Sequence, residues 1–265
     1  NTMAKAKTTA IAKAKINLPV DVNAAMQAEM EQIQKRISAP SGDRIMVTQG
    51  KTFKLPNGSE LDELEAVVVD FCAANYYYTE AFDRGNVIPP ACFALGLEPA
   101  MLEASSNSPD KQCASCAACW ANQFGSSGKG KACQNTRLLA LLTPDADAET
   151  PLYLLKVSPT AIKNFDAHVN SVANSFKMPV RAVVTQITFS QESEYATLRF
   201  KTLRPADEDL LIMAHGRLEE ARKRLLTEPD VSALKAANET PKKVKPKAKP
   251  APMKALPKKV AGGKR

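Results

Sequence analysis

Residues 89–96 read PPACFALG, and residues 111–137 read KQCASCAACWANQFGSSGKGKACQNTR. Five of the six cysteines of the chain lie in these two stretches, at positions 92, 113, 116, 119 and 133. Cys116 and Cys119 form a Cys-x2-Cys knuckle, whose two intervening residues let both thiolates reach one ion at about 2.3 Å for zinc. The spacing therefore predicts a metal site, and we expect the rest of the chain to be organised around it.

The remaining ligands are less constrained by their spacing. Cys133 follows thirteen residues rich in Gly and Ser, a loop flexible enough to fold back as a third ligand. A closed tetrahedral site needs a fourth ligand, for which Cys92 and Cys113 are the candidates. Three ligands spaced by three, Cys113 included, would be cramped around one ion. We therefore favour Cys92 and keep Cys113 as the alternate ligand.

Structural zinc is the favoured cofactor of this site. A Cys-x2-Cys-x2-Cys run also suits an iron–sulfur cluster, but the closely placed fourth Cys and Pro typical of such clusters are missing. A cluster of reactive or redox thiols is a further alternative. The surrounding segment is too polar and Gly-rich to pack alone, so zinc here should contribute directly to folding.

Charge is distributed unevenly along the 265 residues. The net charge is +8, but residues 241–265 carry ten Lys or Arg and no acid, which leaves residues 1–240 at −2. Basicity is thus a property of the tail and not of the folded body. No run approaches 18 apolar residues, so we expect no membrane span. Cysteines clustered at metal spacing favour a reducing, cytoplasmic setting over disulfide formation.

Composition and periodicity divide the chain into five parts. They are a disordered basic arm over 1–20, an N-terminal helix over 21–40, an OB-like domain over 41–205 with a zinc-loop insertion at about 89–137, C-terminal helices over 206–238, and a disordered Lys/Pro-rich tail over 239–265. The tail cannot build a core, because it has ten cations and five prolines in its last 25 residues.

The pattern of the ordered part predicts an α+β protein that is mainly β. Strand signals occupy 44–48, 51–55, 64–73, 137–142 and 152–157, with residues 75–78 interpreted as a loop. A helix over about 161–176, a hairpin over 179–190 and 195–203, and a helix over about 207–226 follow. A helix between the third and fourth strands is the order of an OB-fold barrel. The alternative is an open α+β sheet with a zinc ribbon.

Aromatic and basic residues near the cysteines suggest nucleic-acid binding. Single strands are held by bases stacked on aromatics and by cations along the phosphates. The candidates for stacking are Tyr76, Tyr77, Tyr78, Phe82, Trp120 and Phe124, and the candidates for phosphate contacts are Lys129, Lys131 and Arg137. The Gly-x4-Gly-Lys-Ser/Thr spacing of a P-loop is absent, which argues against nucleotide hydrolysis.

Enzyme interpretations find little support in the sequence. There are only two histidines, His168 and His215, each placed within a predicted helix. No Ser-His-Asp arrangement, nuclease carboxylate motif or deaminase His-x-Glu signature is present. A metal site made only of cysteines is closed, hence structural and not catalytic. We therefore predict a protein that is not an enzyme.

The cysteine region resembles a group of uncharacterised bacteriophage Cys-rich proteins. The shared motifs are a Tyr-Tyr segment, Pro-Pro-x-Cys, Cys-x2-Cys-x2-Asn-x2-Gly-Ser and Gly-Lys-Gly-Lys-x-Cys. The Tyr-Tyr segment corresponds here to Tyr76 to Tyr78, and Pro-Pro-x-Cys corresponds to Pro89, Pro90 and Cys92. The Cys-x2-Cys motif corresponds to Cys116, Cys119, Asn122, Gly125 and Ser126. The last motif corresponds to Gly128, Lys129, Gly130, Lys131 and Cys133. The resemblance covers roughly residues 40–205 and supports Cys92 as the fourth ligand.

By architecture, the resemblance extends to zinc-containing phage single-stranded DNA-binding proteins, such as the T-even phage helix-destabilising protein. It implies a role in DNA replication or recombination in the cytoplasm of an infected bacterium. This chain lacks the mixed His/Cys ligands of that protein, and its tail is basic where such proteins usually end acidic. That difference puts tail-mediated recruitment of replication partners in doubt.

Two functions follow as hypotheses. The first is a non-enzymatic protein that binds single-stranded DNA, with the aromatics for stacking, a structural zinc, and the possibility of oligomers. The second is a zinc-ribbon interaction protein that binds and modulates a host protein, such as a polymerase or nuclease. A weaker third is a duplex-DNA or RNA protein that works mainly through its tail.

Overall fold

The computed structural model describes residues 43–80 and 88–232. The predicted arm, the helix over 21–40, Phe82 and the tail over 239–265 lie outside these residues. The described chain is a mixed α+β protein, mostly strands in a curled half-barrel sheet with a few helices. The coarse expectation of a mainly β α+β protein is thus confirmed.

Nine strands and three α-helices make up the described fold. The strands are β1 (Arg44–Val47), β2 (Phe53–Lys54), β3 (Glu60–Leu61), β4 (Leu64–Tyr77), β5 (Cys92–Gly96), β6 (Cys133–Leu142), β7 (Tyr153–Val157), β8 (Val183–Phe189) and β9 (Leu198–Pro205). The helices are α1 (Ile162–Phe176), α2 (Glu208–Gly216) and α3 (Leu218–Leu225). Short 3-10 turns lie at Pro99–Met101, Trp120–Asn122, Pro159–Ala161 and Val180–Ala182.

The long strand β4 is the centre of the sheet. Its sequence, LEAVVVDFCAANYY, is rich in valine and aromatic residues, which favour a pleated and buried surface. It pairs antiparallel with β6 along nearly its whole length, with β8 at its start and with β5 at its end. A bulge between Val68 and Asp70 bends it, and the Asp70 carboxylate accepts a hydrogen bond from Arg222 Nε of α3 at 2.9 Å.

The sheet runs in the order β3-β2-β1-β7-β6-β4-β8-β9, with β5 attached to β4. Because successive side chains of a strand point to opposite faces, each face buries its own core. On one face α2 and α3 pack over Val67, Cys72 and Leu138. On the other, α1 packs through Phe165 over Val68 and other sheet residues. Helices therefore cover both faces, while the cysteine loop covers one end.

The structure departs from the sequence expectations in three places. The loop expected at residues 75–77 is instead a continuation of β4, because β5 and β6 pair with these residues on both sides. The helix expected over about 207–226 is two helices that meet at Arg217, whose side chain bonds to Thr150 O and Glu220. The described sheet has nine strands, eight along an open path and β5 attached to β4, so the five-stranded OB-fold barrel is not confirmed.

The strand predicted over 137–142 begins four residues earlier, at Cys133, and two other element predictions are close to the observed bounds. The helix predicted over about 161–176 is α1, and its apolar stripe buries Phe165 and Val172. The hairpin predicted over 179–203 is β8 paired with β9. Cys72, expected in the core, is fully buried, and its thiol donates to Leu225 O at 3.4 Å.

Candidate functional site

Strand pairing places two of the predicted ligands on one side of the sheet. Tyr77 at the end of β4 is the register partner of Cys92 on β5 and also of Cys133 on β6. Residues directly opposite each other in antiparallel strands project to the same face. Cys92, Tyr77 and Cys133 therefore form one row across three strands, with Ala94, Asn75 and Asn135 as the next row on that face.

The segment between β5 and β6 crosses this face and brings the knuckle over it. Leu102 is buried on the sheet beside Ala73 and Ala94, and Cys116 packs against the same three residues. The backbone holds the crossing in place, because Cys116 N donates to Leu102 O at 2.9 Å and Ala104 N donates to Ala114 O at 3.0 Å. The knuckle is thus attached to the sheet by packing and by main-chain hydrogen bonds.

Five cysteines line one small cavity between the loop and the sheet. Its volume is about 10 Å³, and its sulfur-bearing residues are Cys92, Cys113, Cys116, Cys119 and Cys133. Every cysteine in the described residues is a free thiol. Cysteines that are up to 41 positions apart in the sequence therefore line a space about the size of one water molecule.

The ionisation of the thiols reflects this crowding. Burial raises the pKa of the Cys133 thiol to about 12, and the neighbouring Cys116, Cys119 and Cys92 act in the same direction. Burial also raises the pKa of Cys116, where Cys92 and Cys113 have the same effect. Each extra thiolate would add negative charge to a desolvated space, so without a cation the site favours neutral thiols. Cys133 thus lies close to the three other favoured ligands.

Cys113 lines the same cavity and lies beside Cys119. Burial raises the pKa of Cys119, and a hydrogen bond with Cys113 raises it as well. Cys92 and Cys119 are buried, whereas Cys113, Cys116 and Cys133 are half-buried. The arrangement brings all four favoured ligands together and places the alternate ligand, Cys113, near both Cys116 and Cys119.

Polar side chains around the cavity orient the sulfurs and the loop. The Asn75 side chain hydrogen-bonds to the Cys116 thiol, and its Oδ1 accepts from Asn135 Nδ2 at 2.7 Å. Asn122 Nδ2 donates to Cys116 O at 2.7 Å, and Lys131 Nζ donates to Asn122 Oδ1 at 3.2 Å. Outer hydrogen bonds of this kind fix ligand orientation in metal sites. Sequence reasoning missed Asn75 and Asn135, which extending each of the predicted strands 64–73 and 137–142 by two residues would have included.

The cysteine donors fit a metal ion by their chemistry. In residues 43–80 and 88–232, no group of three or more His, Cys, Asp or Glu side chains has the arrangement of a finished metal site. The chemistry of the cavity nevertheless fits zinc, because four thiol donors, two from strands and two from a Cys-x2-Cys knuckle, line one enclosed space.

The Gly/Ser loop before Cys133 is an ordered turn. Gly125 N donates to Gly130 O at 2.9 Å, and Ser126 Oγ accepts from Ala132 N at 2.9 Å. Gly125 and Gly128 have φ of 91° and 62°, a left-handed backbone that favours glycine. The turn brings Lys131 to the side of Phe124.

Two predicted stacking residues are exposed at the outer edge of the loop. Phe124 is 82% exposed and Trp120 is 48% exposed. Tyr77 meets the Trp120 ring edge-on with a centroid distance of 5.8 Å, and Lys131 Nζ lies 5.1 Å from the Phe124 ring centroid. Lys129 is exposed on the same loop. We name Trp120, Phe124, Lys129 and Lys131 the aromatic–lysine surface.

Other predicted nucleic-acid residues are placed elsewhere. Tyr76 is a buried core residue on the opposite face of the sheet, and Tyr78 packs against the same core. The Arg137 side chain is 13% exposed and pairs with Asp166 of α1 at 3.1 Å. The buried Tyr76 ring is not accessible to a base, and the Arg137 guanidinium is already paired, whereas the half-buried Tyr78 stays a candidate. Phe82 lies outside the described residues.

The sheet geometry explains these placements. Tyr76 and Tyr77 are neighbours in a strand, so one faces the core and the other faces the cysteine loop. Burial raises the pKa of the Tyr76 hydroxyl to about 12.

Within the described ranges, no helix has the length and apolar character to span a bilayer. In comparisons with protein-family models, with curated proteins and with solved structures, nothing significantly matches this chain.

Proposed function

We propose that this protein is a non-enzymatic, zinc-stabilised binding protein for single-stranded DNA, in which the aromatic–lysine surface holds the strand. The observation that carries the proposal is the pairing of exposed rings with cations on one ordered loop. Trp120 and Phe124 are large apolar side chains left in water, and Lys131 lies against one of them. Stacked rings flanked by lysines are how sequence-independent binding to single strands is built.

Zinc has a structural part in this proposal. Cys92, Cys116, Cys119 and Cys133 would hold it, and the bound ion would supply a crosslink between the strands and the knuckle. Trp120 immediately follows the knuckle and Phe124 lies five residues after Cys119. Fixing the knuckle would therefore fix the positions of both rings. The four donors form a closed set, which is typical of structural and not catalytic zinc.

Charge sets the expected strength of binding. Residues 1–240 have a net charge of −2, so the body does not attract polyanions over its whole surface. Affinity of the body must then come from local contacts, while the ten cations of residues 241–265 add a salt-dependent attraction for any polyanion. An OB-type barrel is not required for this model, since the surface lies on the loop.

The test is a fluorescence-anisotropy titration with a single-stranded thymidine oligonucleotide and with a duplex, each at two salt concentrations. The full chain is compared with a chain ending at Thr240, which removes the contribution of the tail. We expect binding by the shorter chain to prefer the single strand. Trp120→Ala and Phe124→Ala should each weaken it by about 1–3 kcal/mol, roughly five- to 150-fold, because each removes the ring for one stacked base.

Phe176→Ala is the matched control, because Phe176 is an exposed aromatic on α1, outside the loop. Its affinity should equal that of the unsubstituted chain. Lys129→Gln and Lys131→Gln should reduce the salt slope by about 0.7 for each phosphate that is no longer neutralised. Absence of single-strand binding in the chain ending at Thr240 would overturn the proposal and favour the interaction protein that modulates a host polymerase or nuclease.

A further inference from the structure

The strands β1 and β7 separate and leave a groove between them. They are paired in parallel only through Arg44 with Leu154 and Ile45 with Leu155. Beyond this point β1 turns to pair with β2, while β7 continues beside β6. The groove has a volume of about 760 Å³, which lies within the range of about 300–1,000 Å³ of small-molecule sites.

Two cations line this groove on one face of the sheet. Arg44 is paired with Leu154, and Lys156 lies two residues further along β7, so both side chains project to the same side. The Lys156 ammonium is 4.9 Å from the centroid of the Tyr76 ring. Burial lowers the pKa of Lys156, and the charge of Arg44 lowers it further. The two positive charges therefore act on each other.

Among the described residues, neither cation has an acidic partner. Within residues 43–80 and 88–232, the ion pairs join other residues, and no carboxylate is paired with Arg44 or Lys156. The one acid that lines the groove in these ranges is the exposed Glu194. A partly buried ammonium beside a second cation is unfavourable unless an anion offsets it. A negatively charged group bound in the groove would therefore be stabilised by both cations.

The same groove has exposed apolar side chains. Met46 is 58% exposed and Tyr195 is 73% exposed, and both line it. Gln134 and the hydroxyl residues Thr48, Ser158 and Thr160 add polar groups to the lining. A ligand that matches this lining combines an anion with a flat, partly apolar ring. Arg recognises phosphate through a planar fork of donors, and Lys binds it as a point charge.

We propose that the groove binds a nucleoside monophosphate unit, with the phosphate on Arg44 and Lys156 and the base against Met46 and Tyr195. The unit is either a free nucleotide or the 5′-phosphorylated end of a strand. The groove is distinct from the aromatic–lysine surface, since Tyr76 and Tyr77 face opposite sides of β4. The inference goes beyond the proposed function and does not depend on it.

The test is calorimetric titration of the full chain carrying Trp120→Ala and Phe124→Ala, so that the other surface does not contribute. The probes are thymidine 5′-monophosphate, thymidine, inorganic phosphate, and a four-residue thymidine oligonucleotide with or without a 5′-phosphate. We expect the monophosphate to bind at least tenfold more tightly than thymidine or inorganic phosphate. Tighter binding of the phosphorylated oligonucleotide than of the monophosphate would identify a strand end as the source.

Arg44→Gln and Lys156→Met are the diagnostic variants, and Lys54→Gln on β2 is the matched control. Arg44 is exposed, so its substitution tests the site even if Lys156→Met unfolds the chain. Each diagnostic variant should weaken binding at least tenfold, and the control should not change it. No binding of the monophosphate, unchanged binding in Arg44→Gln, or equal affinity for inorganic phosphate would overturn the proposal. None of these outcomes would argue against single-strand binding by the aromatic–lysine surface.

Discussion

Cys92 and Cys133 are two strands apart, yet each is the register partner of Tyr77. Neighbouring strands are about 4.8 Å apart, so their backbones are separated by nearly 10 Å across Tyr77. Zinc holds each sulfur at about 2.3 Å, so both thiols must lean toward the centre of the cavity to share an ion. Metal binding should thus act as a crosslink between β5 and β6, on the side where the knuckle lies.

The ligand set can be resolved by single substitutions. We expect one zinc per chain by elemental analysis of the unsubstituted protein, and markedly less in Cys92→Ser, Cys116→Ser, Cys119→Ser and Cys133→Ser. Cys113→Ser should retain zinc, because Cys92, Cys116, Cys119 and Cys133 already make up a closed set of four ligands. Cys72→Ala is the control, since Cys72 is buried in the core that faces α3. Zinc loss in Cys113→Ser together with retention in Cys92→Ser would reverse the assignment.

Metal removal should lower stability. A ligand present at a thousandfold excess over its dissociation constant stabilises the native state by about 4 kcal/mol. For a domain of this size that corresponds to a fall in Tm of roughly 8–16 °C when a chelator is added. Thermal unfolding followed by circular dichroism measures it, with Cys116→Ser as the control that should not respond. An unchanged Tm in the zinc-loaded protein would exclude a structural ion.

Gly96 tests the contact between β5 and the crossing segment. A Cβ built at Gly96 would lie 2.8 Å from Leu102 Cδ2, and Leu102 is only 4% exposed. Gly96→Ala should therefore destabilise the protein by about 1–3 kcal/mol, the usual cost of overpacking. Urea unfolding measures this free energy. In the background of Leu102→Ala, Gly96→Ala should lower the free energy of unfolding by clearly less. An equal loss in both backgrounds would show that the added Cβ does not contact the Leu102 side chain.

The buried His168 predicts a pH dependence of stability. Its Nε2 lies 2.9 Å from Thr185 Oγ1, and burial holds the pKa of the imidazole below its ordinary 6.5. Below pH 6.5 the unfolded chain then binds more protons than the folded chain, so the free energy of unfolding should fall with falling pH until the folded pKa is passed. Urea unfolding at pH 7.5 and 5.5 checks this. The free energy of unfolding should differ less between pH 7.5 and pH 5.5 in His168→Gln than in the unsubstituted protein. An equal difference would show that His168 is not the source of the pH dependence.

Sequence pattern predicted much of the local structure for a physical reason. The hydrophobic periodicity of α1 and the alternation in β8 are local properties of adjacent residues, and the structure has both elements. The predicted helix over 207–226 was wrong at Arg217, because bonds to Thr150 and Glu220, one of them distant in the chain, decide where it breaks.

By itself, the sequence determined the mainly β α+β class, the concentration of cysteines in one region and the position of the charged tail. Tertiary structure alone decided which residues meet. Strand pairing extends β4 through Asn75–Tyr77, buries Tyr76 and brings Cys92 and Cys133 to opposite sides of Tyr77. It also turns Arg137 toward Asp166 and places Arg44 beside Lys156. These contacts join residues distant in the chain, and a one-residue change in register would reverse the face of each side chain.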